Sequence, residues 1–330
     1  MRFGIVLVDY NGWPDTFECL RSLSECCQNA EVVLVNNASK EDYSELARGQ
    51  YPGLHVIKSQ QNMGWSGGNN LGIKFLLEIS PRIDAILLLN NDTVVHPNIL
   101  ELLGKGFSLG FDVVGPVIND YKSRDEIQTQ GVAFNIATRP NEFFTVIPVP
   151  VDNDEFRVTP VDIANGCAVA ITREVFEKTG LIDERFFLIC EESDFCLRAQ
   201  EAGFKLGIIN RSLVWHKHSV SFNRAGKPLQ RYYGTRNLWL LLKKHPNGKG
   251  RRGRFSSVLA YFRHQYHLFC HEVELGNPMG ASAIVDGISD ALLGKYGARN
   301  ETRSWISRSA EKTLYCVWFI QGGKKQIGKF

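Results

Sequence analysis

Four apolar runs alternate with helical patterns over the first hundred residues: FGIVLVDY (3–10), EVVLVNNAS (31–39), HVIKS (55–59) and AILLL (85–89). Strands this continuously apolar are buried on both faces, and strand–helix alternation demands a parallel sheet with helices covering it. The first helical pattern, DTFECLRSLSEC (15–26), sets Phe17, Leu20 and Leu23 on one face, with Asp15 or Thr16 as its N-cap. The third, NLGIKFLLEIS, opens at Asn70 after the glycine-rich loop MGWSGGNN (63–70). The expected class is therefore α/β, with a mainly parallel sheet flanked by helices.

Open sheets of this kind bind ligands beyond the carboxyl ends of their strands. Three polar clusters fall at such ends: Asp9–Tyr10–Asn11, Asn36–Asn37 and Asn90–Asn91–Asp92. Turn-forming Asn and Asp account for each cluster singly; convergence of all three on one edge points to a binding site. The turn after the first strand, DYNGWPD, lacks the G-x-G-x-x-G of a dinucleotide fold, and no Walker Gly-Lys-Ser/Thr is present. The glycine-rich, Arg-containing first loop of a sugar nucleotidyltransferase is missing too. In MGWSGGNN, Trp65, Asn69 and Asn70 mark either a ligand-approaching backbone or an ordinary capped turn.

Asp92 is the one carboxylate at the end of its strand, suited to a hard cation, Mn²⁺ or Mg²⁺, that neutralises a diphosphate. Downstream, VDIANGCAVAITREVFEKTG (161–180) reads as a strand and a short helix from about Arg173. EESDFCLRAQEAG reads as a helix from Glu191 stopped by Gly203. Glu191, Glu192 and Asp194 crowd that helix's first turn, either complementing the macrodipole or supplying a general base. LGIIN (206–210) and LVWHKHS (213–219) read as two further strands, and the second sets His216 and His218 on one face.

The net charge of +3 is too small to argue for nucleic acid. Locally basic stretches, HPNGKGRRGRF (245–255) and GGKKQIGKF (322–330), are either solvated surface or a patch for an anionic membrane or phosphate. Eight cysteines without a C-x-x-C pair, two of them adjacent (Cys26, Cys27), suit a reduced cytosolic thiol set. The apolar stretch in MRFGIVLVDYNG is too short for a signal h-region and reads as a core strand. No apolar run reaches the ~20 residues of a membrane span.

Taken in order, the motifs resemble the inverting glycosyltransferases of family 2. IVLVDYNG resembles the family's opening strand, VLVNNASKED its V-D-N-A-S-x-D turn, and NMGWSGGNNLGI its N-x-G-x-x-x-G-N-N-x-G-I segment. LLLNNDTVVHP is similar to the family's metal-binding D-x-D region. GLIDERFFLICEESDFCLR is similar to the G-x-x-D-E-x-F-F-x-x-x-E-D-x-D-x-x-x-R block. VWHKHSVS and YYGTRN (232–237) match elements of bacterial rhamnosyltransferase-like members. AIVDGISDALLGKYG (283–297) resembles their C-terminal helical region.

That resemblance implies a GT-A domain over 1–240, with a nucleotide-binding half to about 115 and an acceptor half beyond, then a C-terminal helical, partly basic region (241–330). Asp9, Tyr10, Asn11, Asn36 and Asn37 would line the nucleobase and ribose pocket, with Trp65, Asn69 and Asn70 near the nucleotide. Asp92, with Asn91 beside it and His216 as a further ligand, would hold the metal on the donor diphosphate, and Arg236 would stabilise its charge. Glu192 stands where the family has its Asp base, with Asp194 as the second candidate and Glu191 adjoining; Asn36 replaces the family's aspartate. The implied enzyme is cytoplasmic, peripheral at the inner membrane face, and moves a sugar, rhamnose from dTDP-rhamnose, onto a glycan or lipid-linked glycan. The rival readings are a non-catalytic sugar-nucleotide-binding scaffold and a sugar nucleotidyltransferase.

Overall fold

Valine, isoleucine and leucine fill both faces of β1 (Phe3–Asp9), β2 (Glu31–Asn36) and β4 (Ala85–Asn90), which with the half-buried β3 (His55–Lys58) run parallel in the order β3-β2-β1-β4. α1 (Trp13–Cys26), α2 (Ser44–Gln50) and α3 (Gly64–Ile79) connect them, the alternation expected from the apolar runs. The structure is a computed structural model that describes residues 1–79, 83–134, 143–152, 154–217, 227–246, 251–300 and 305–320. His218, residues 247–250, the side chains of 251–256 and the tail from 321 lie outside the described residues.

The chain then adds β5 (Thr93–Val95), α4 (Ile99–Ser108), β6 (Val113–Asp120), β7 (Ile127–Thr129), β8 (Gly131–Phe134), β9 (Phe144–Ile147), β10 (Val158–Pro160), β11 (Ala168–Thr172), α5 (Arg173–Thr179), α6 (Glu191–Glu201) and β12 (Leu206–His216). The full sheet runs β10-β12-β6-β11-β4-β1-β2-β3, with β5 on β12 and β7 on β6. β1, β2, β3, β4, β6 and β12 share one direction; β11 lies antiparallel between β4 and β6. The sheet is therefore mainly parallel, as expected. LGIIN and LVWH form one strand rather than two, with register shifts around Ser212.

Two helix starts differ from the sequence reading. α1 begins at Trp13 behind Gly12, because Pro14 already carries a helical φ and needs no amide partner in the first turn; Thr16 is left free to bond elsewhere. α3 begins at Gly64, so the glycine-rich stretch is helix rather than loop. A Cβ on Gly68 would lie 2.7 Å from Val8 Cγ1, and one on Gly72 2.4 Å from Val6 Cγ1. Those glycines seat the helix directly on β1, and glycine's weak helix propensity had masked the element.

α6 ends as the sequence indicates. Gly203 is left-handed (φ 92°), its N–H bonds to Gln200 O at 2.9 Å, and Phe204 N–H bonds to Ala199 O at 3.1 Å.

Contacts divide the chain into two compact units. The first holds the described residues from Met1 to Lys217 except Phe143 and Leu188–Cys190, which belong with the second. The second contains α7 (Lys227–Lys244), α8 (Arg251–Glu274), α9 (Pro278–Leu292) and α10 (Trp305–Ile320). The boundary expected near 240 falls inside this unit, because α9 packs against α7 as well as α8 and α10. Pro278 follows the N-cap Asn277, whose Oδ1 accepts from Gly280 N–H at 3.1 Å. Among the described residues no helix is long and apolar enough to cross a membrane.

Candidate active site

The carboxyl ends of β1, β2 and β4 are stitched together by Asp9, which is fully buried. Its Oδ1 accepts from Thr16 Oγ1 (2.6 Å), Gly12 N–H (3.2 Å) and Asn91 Nδ2 (3.2 Å); its Oδ2 accepts from Ser39 Oγ (2.6 Å). Burial pushes the Asp9 carboxyl above its ordinary range, and the Ser39, Thr16, Gly12 and Asn91 donors hold it partly back. Both oxygens are thus engaged within the chain, so Asp9 frames the edge from inside. Beside it, Tyr10 is exposed, and Asn11 is left-handed (φ 57°), its Oδ1 accepting from Lys40 N–H at 2.8 Å.

Asn36 accepts from Ser39 N–H (3.0 Å) and donates to Asp42 (3.3 Å). Asn37 ties β2 to the start of α3: its Nδ2 donates to Asn62 Oδ1 and Gly64 O, and its Oδ1 accepts from Met63 N–H. Asn69 donates back to Trp65 O (2.9 Å). Asn70 donates to Ile182 O and Glu184 Oε1 and accepts from Ile182 N–H, pinning the segment that leads to α6. Four of the expected amides therefore shape the site rather than pointing unbonded into it. Trp65 Nε1 donates to Asn90 Oδ1 at 3.1 Å, which aims the indole along the end of β4.

Asp92 and His216 meet. Their Oδ1 and Nε2 are 3.1 Å apart, and both side chains are largely buried. The antiparallel pairing of β12 with β5 makes this contact, setting His216 opposite Thr93. Nδ1 of His216 lies 2.6 Å from Gln128 Oε1, which accepts that ring N–H and leaves Nε2 facing Asp92. Burial opposes a charge on His216, yet the Cys167 sulfur and the Asp92 carboxylate outweigh it and push the imidazole up to about 11. A carboxylate and an imidazole nitrogen this close fit a divalent cation held at two points once the cation displaces the Nε2 proton of the imidazole. No cluster of three His, Cys, Asp or Glu ligands occurs among the described residues.

Across the edge stands the first turn of α6. Burial drives the Glu191 carboxyl well above its ordinary range, with the Glu192 charge adding to it, and Glu191 Oε2 is buried without a hydrogen-bond partner among the described residues. Burial also raises Glu192, against the backbone N–H groups of Glu192 and Ser193, and its side chain is half-buried. A Cβ on Gly166 would lie 3.2 Å from both Glu192 Cβ and Trp65 Cζ2, so these two side chains share one wall of the site. Asp194 is fully buried; its Oδ2 accepts from Arg198 Nε at 2.9 Å, while Arg198 also donates to Thr179 O and Leu181 O. That arrangement locks helix to loop and makes Glu192 the stronger base candidate.

These shifts carry a pH signature. A carboxyl raised in the folded state contributes stability that is full below its unfolded value near 4.5 and is lost as pH rises through the folded value. Melting temperature is expected to rise as pH is lowered from neutrality toward that range. Glu191→Gln is expected to melt higher than wild type at pH 7.5, by roughly 3 °C per kcal/mol of relieved charge burial, and to flatten the pH dependence in differential scanning fluorimetry. An unchanged profile would reject the buried-acid account.

Arg236 belongs to the second unit. It is fully buried in the helical unit, stacked on Tyr233 (4.9 Å to the ring centroid) and Tyr232 (5.3 Å), with Nη1 donating to Gly297 O at 2.7 Å. An arginine so enclosed is a core cation–π group, and the diphosphate role expected for it is withdrawn. Gln128, Gly166 and Ser39 escaped the sequence reading, and Thr16, expected as an N-cap, bonds Asp9 instead. Only Gly166 left a signal, the turn dipeptide Asn165–Gly166 ahead of β11.

A family model described as "Glycosyltransferase like family 2" matches residues 3–235. The hexosyltransferase Agl10 of low-salt glycan biosynthesis in Haloferax volcanii is 29% identical over 72% of this chain and 74% of its own. The dTDP-rhamnosyl transferase RfbF of Shigella flexneri is 27% identical over 73% of this chain and 79% of its own. Among solved structures, S. aureus TarS 1-349 in complex with UDP-GlcNAc superposes with a TM-score of 0.57 at 14% identity, covering 99% of this chain and 93% of that one.

Proposed function

From the premise that this chain belongs to glycosyltransferase family 2 and is a GT-A-fold glycosyltransferase, we propose that it works by inversion, with a divalent metal and Glu192 as the base. The observation that carries this reading is the half-buried Glu192, raised by burial and set against Trp65 at the sheet edge that also bears Asp92 and His216. Residues to about 115 take the nucleotide, and later residues of the first unit meet the acceptor. Glu192 removes the proton of an acceptor hydroxyl as its oxygen bonds to the anomeric carbon. The bond from that carbon to the nucleoside diphosphate breaks on the opposite face, and the configuration inverts. Trp65, Tyr10 and Asn11 supply surfaces for the donor, with Asn36 and Asn37 shaping the pocket and Asp9 and Asn91 fixing the turns beneath it.

Asp92 and His216 would hold Mn²⁺ or Mg²⁺, which neutralises charge on the departing diphosphate when bound. Rhamnose from dTDP-rhamnose is the donor we favour, supported by the likeness to the Shigella enzyme; a glycan or lipid-linked glycan is the acceptor. A thermal-shift panel of nucleoside diphosphate sugars with and without Mn²⁺ tests the proposal. Saturation to 100 Kd stabilises by about 2.7 kcal/mol. The shift is expected with dTDP-rhamnose plus Mn²⁺ and is expected to vanish in Asp92→Ala, measured against that variant's own unliganded melt. A wild type shifted by no nucleotide sugar would overturn the proposal.

We also place the enzyme at the cytoplasmic membrane face, docked through the basic run Lys249, Arg251, Arg252 and Arg254. Sedimentation with anionic vesicles is expected to fall steeply between low and physiological salt. Binding that ignores salt, or none at all, counts against this docking.

A further inference from the structure

The chain entering α6 is unusual. Phe187, Ile189 and Cys190 are all left-handed, with φ of 64°, 69° and 69°. Glycine takes that region freely; a β-branched residue such as Ile189 does so only when its surroundings impose it. Glu191 and Glu192 follow directly, so this turn sets where the first turn of α6 points.

Hydrogen bonds from Ser66 and Asn237 restrain the turn. Phe187 O accepts from Ser66 N–H at 3.3 Å. Asn237, fully buried on α7, uses its Nδ2 to donate to Leu188 O at 2.6 Å and Ile189 O at 2.7 Å. Its Oδ1 accepts from Arg236 Nε at 2.9 Å, which fixes which end of the amide faces the carbonyls. Arg236 is held in turn by the Tyr232 and Tyr233 rings and by Gly297 O. The Arg236–Asn237 pair, adjacent in sequence, thus forms an oriented clamp on the left-handed turn.

We infer that Asn237 is a positioning residue for Glu192: by holding the carbonyls of Leu188 and Ile189 it imposes the left-handed turn that aims the first turn of α6. The inference deepens the proposed function and rests on Glu192 as base. Asn237 acts through the backbone carbonyls three and four residues ahead of the carboxylate. Misplacing a reacting group by about 1 Å is enough to lower rate about 100-fold.

Asn237→Asp is the sharpest test, because it keeps size and shape while setting carboxylate oxygens against two carbonyl oxygens. Asn237→Ser, small and polar, serves if the first variant does not fold. Hydrogen exchange needs no substrate. Amides of residues 188–195 are expected to exchange about 10-fold faster, with those of α9 unchanged. In transfer assays with dTDP-rhamnose, kcat is expected to fall about 100-fold with donor KM within twofold. Unchanged exchange at 188–195, or faster exchange spread evenly over α7, α8 and α9, overturns the clamp, as does an unaltered kcat in folded protein. If wild type turns over no donor, the proposed function fails, and exchange alone still decides the clamp.

Discussion

Glu192→Gln is expected to lower transfer by about 10³-fold, within the range lost with a general base, while donor affinity stays within about twofold. The substitution preserves length and volume and removes only the ability to take a proton. Glu192 is half-buried and its carboxyl is raised by burial; a base so placed has a pKa closer to the working pH than a solvated carboxylate. The acid limb of the wild-type rate profile should therefore lie above the ordinary Glu value of 4.5. Asp194→Asn gives the contrast. That carboxylate is tied to Arg198, so its replacement is expected to lower the melting temperature more than it alters the shape of the rate profile. Full activity in Glu192→Gln would take the role of base away from this residue.

The second large effect is on the fold. Asp9→Ala strands Thr16, Ser39, Asn91 and the Gly12 N–H at the meeting point of β1, β2 and β4. Breaking a buried, charge-assisted network from one side costs about 3–5 kcal/mol, and at roughly 2–4 °C per kcal/mol the melt should drop by about 10 °C. A direct contact from Asp9 to the nucleobase would instead weaken donor binding and leave the melt alone. The two measurements, unliganded melting temperature and donor affinity, separate those roles.

Much of the architecture was legible in the residues because double-sided burial writes a strong pattern. AILLL and EVVLV admit few readings other than buried strands, and the polar residues that follow them do lie on one edge. α3 was half-hidden for the opposite reason. Gly68 and Gly72 are poor helix formers, and what requires them in this helix is the closeness of Val8 and Val6, a tertiary fact. Arg236 was misplaced because a motif carries no burial; its tyrosine cage forms from α7 and the chain near Tyr296. Gln128 sits on a three-residue strand far in sequence from His216, and nothing local marks it. The asparagines were found for the right position and the wrong task, since polarity at a strand end does not say whether an amide faces inward or outward.

β11 runs against its neighbours, so it is its beginning, not its end, that reaches the edge where β1, β2 and β4 finish. Asn90 N–H bonds to Cys167 O there, one residue beyond the glycine wedged between Trp65 and Glu192. A chain arriving from this direction needs no crossover helix to reach the reaction centre. The stretch between β6 and β11 instead returns to the sheet twice, as β7 beside β6 and β10 beside β12, and carries Gln128 to His216, so its length is tied to the frame it leaves.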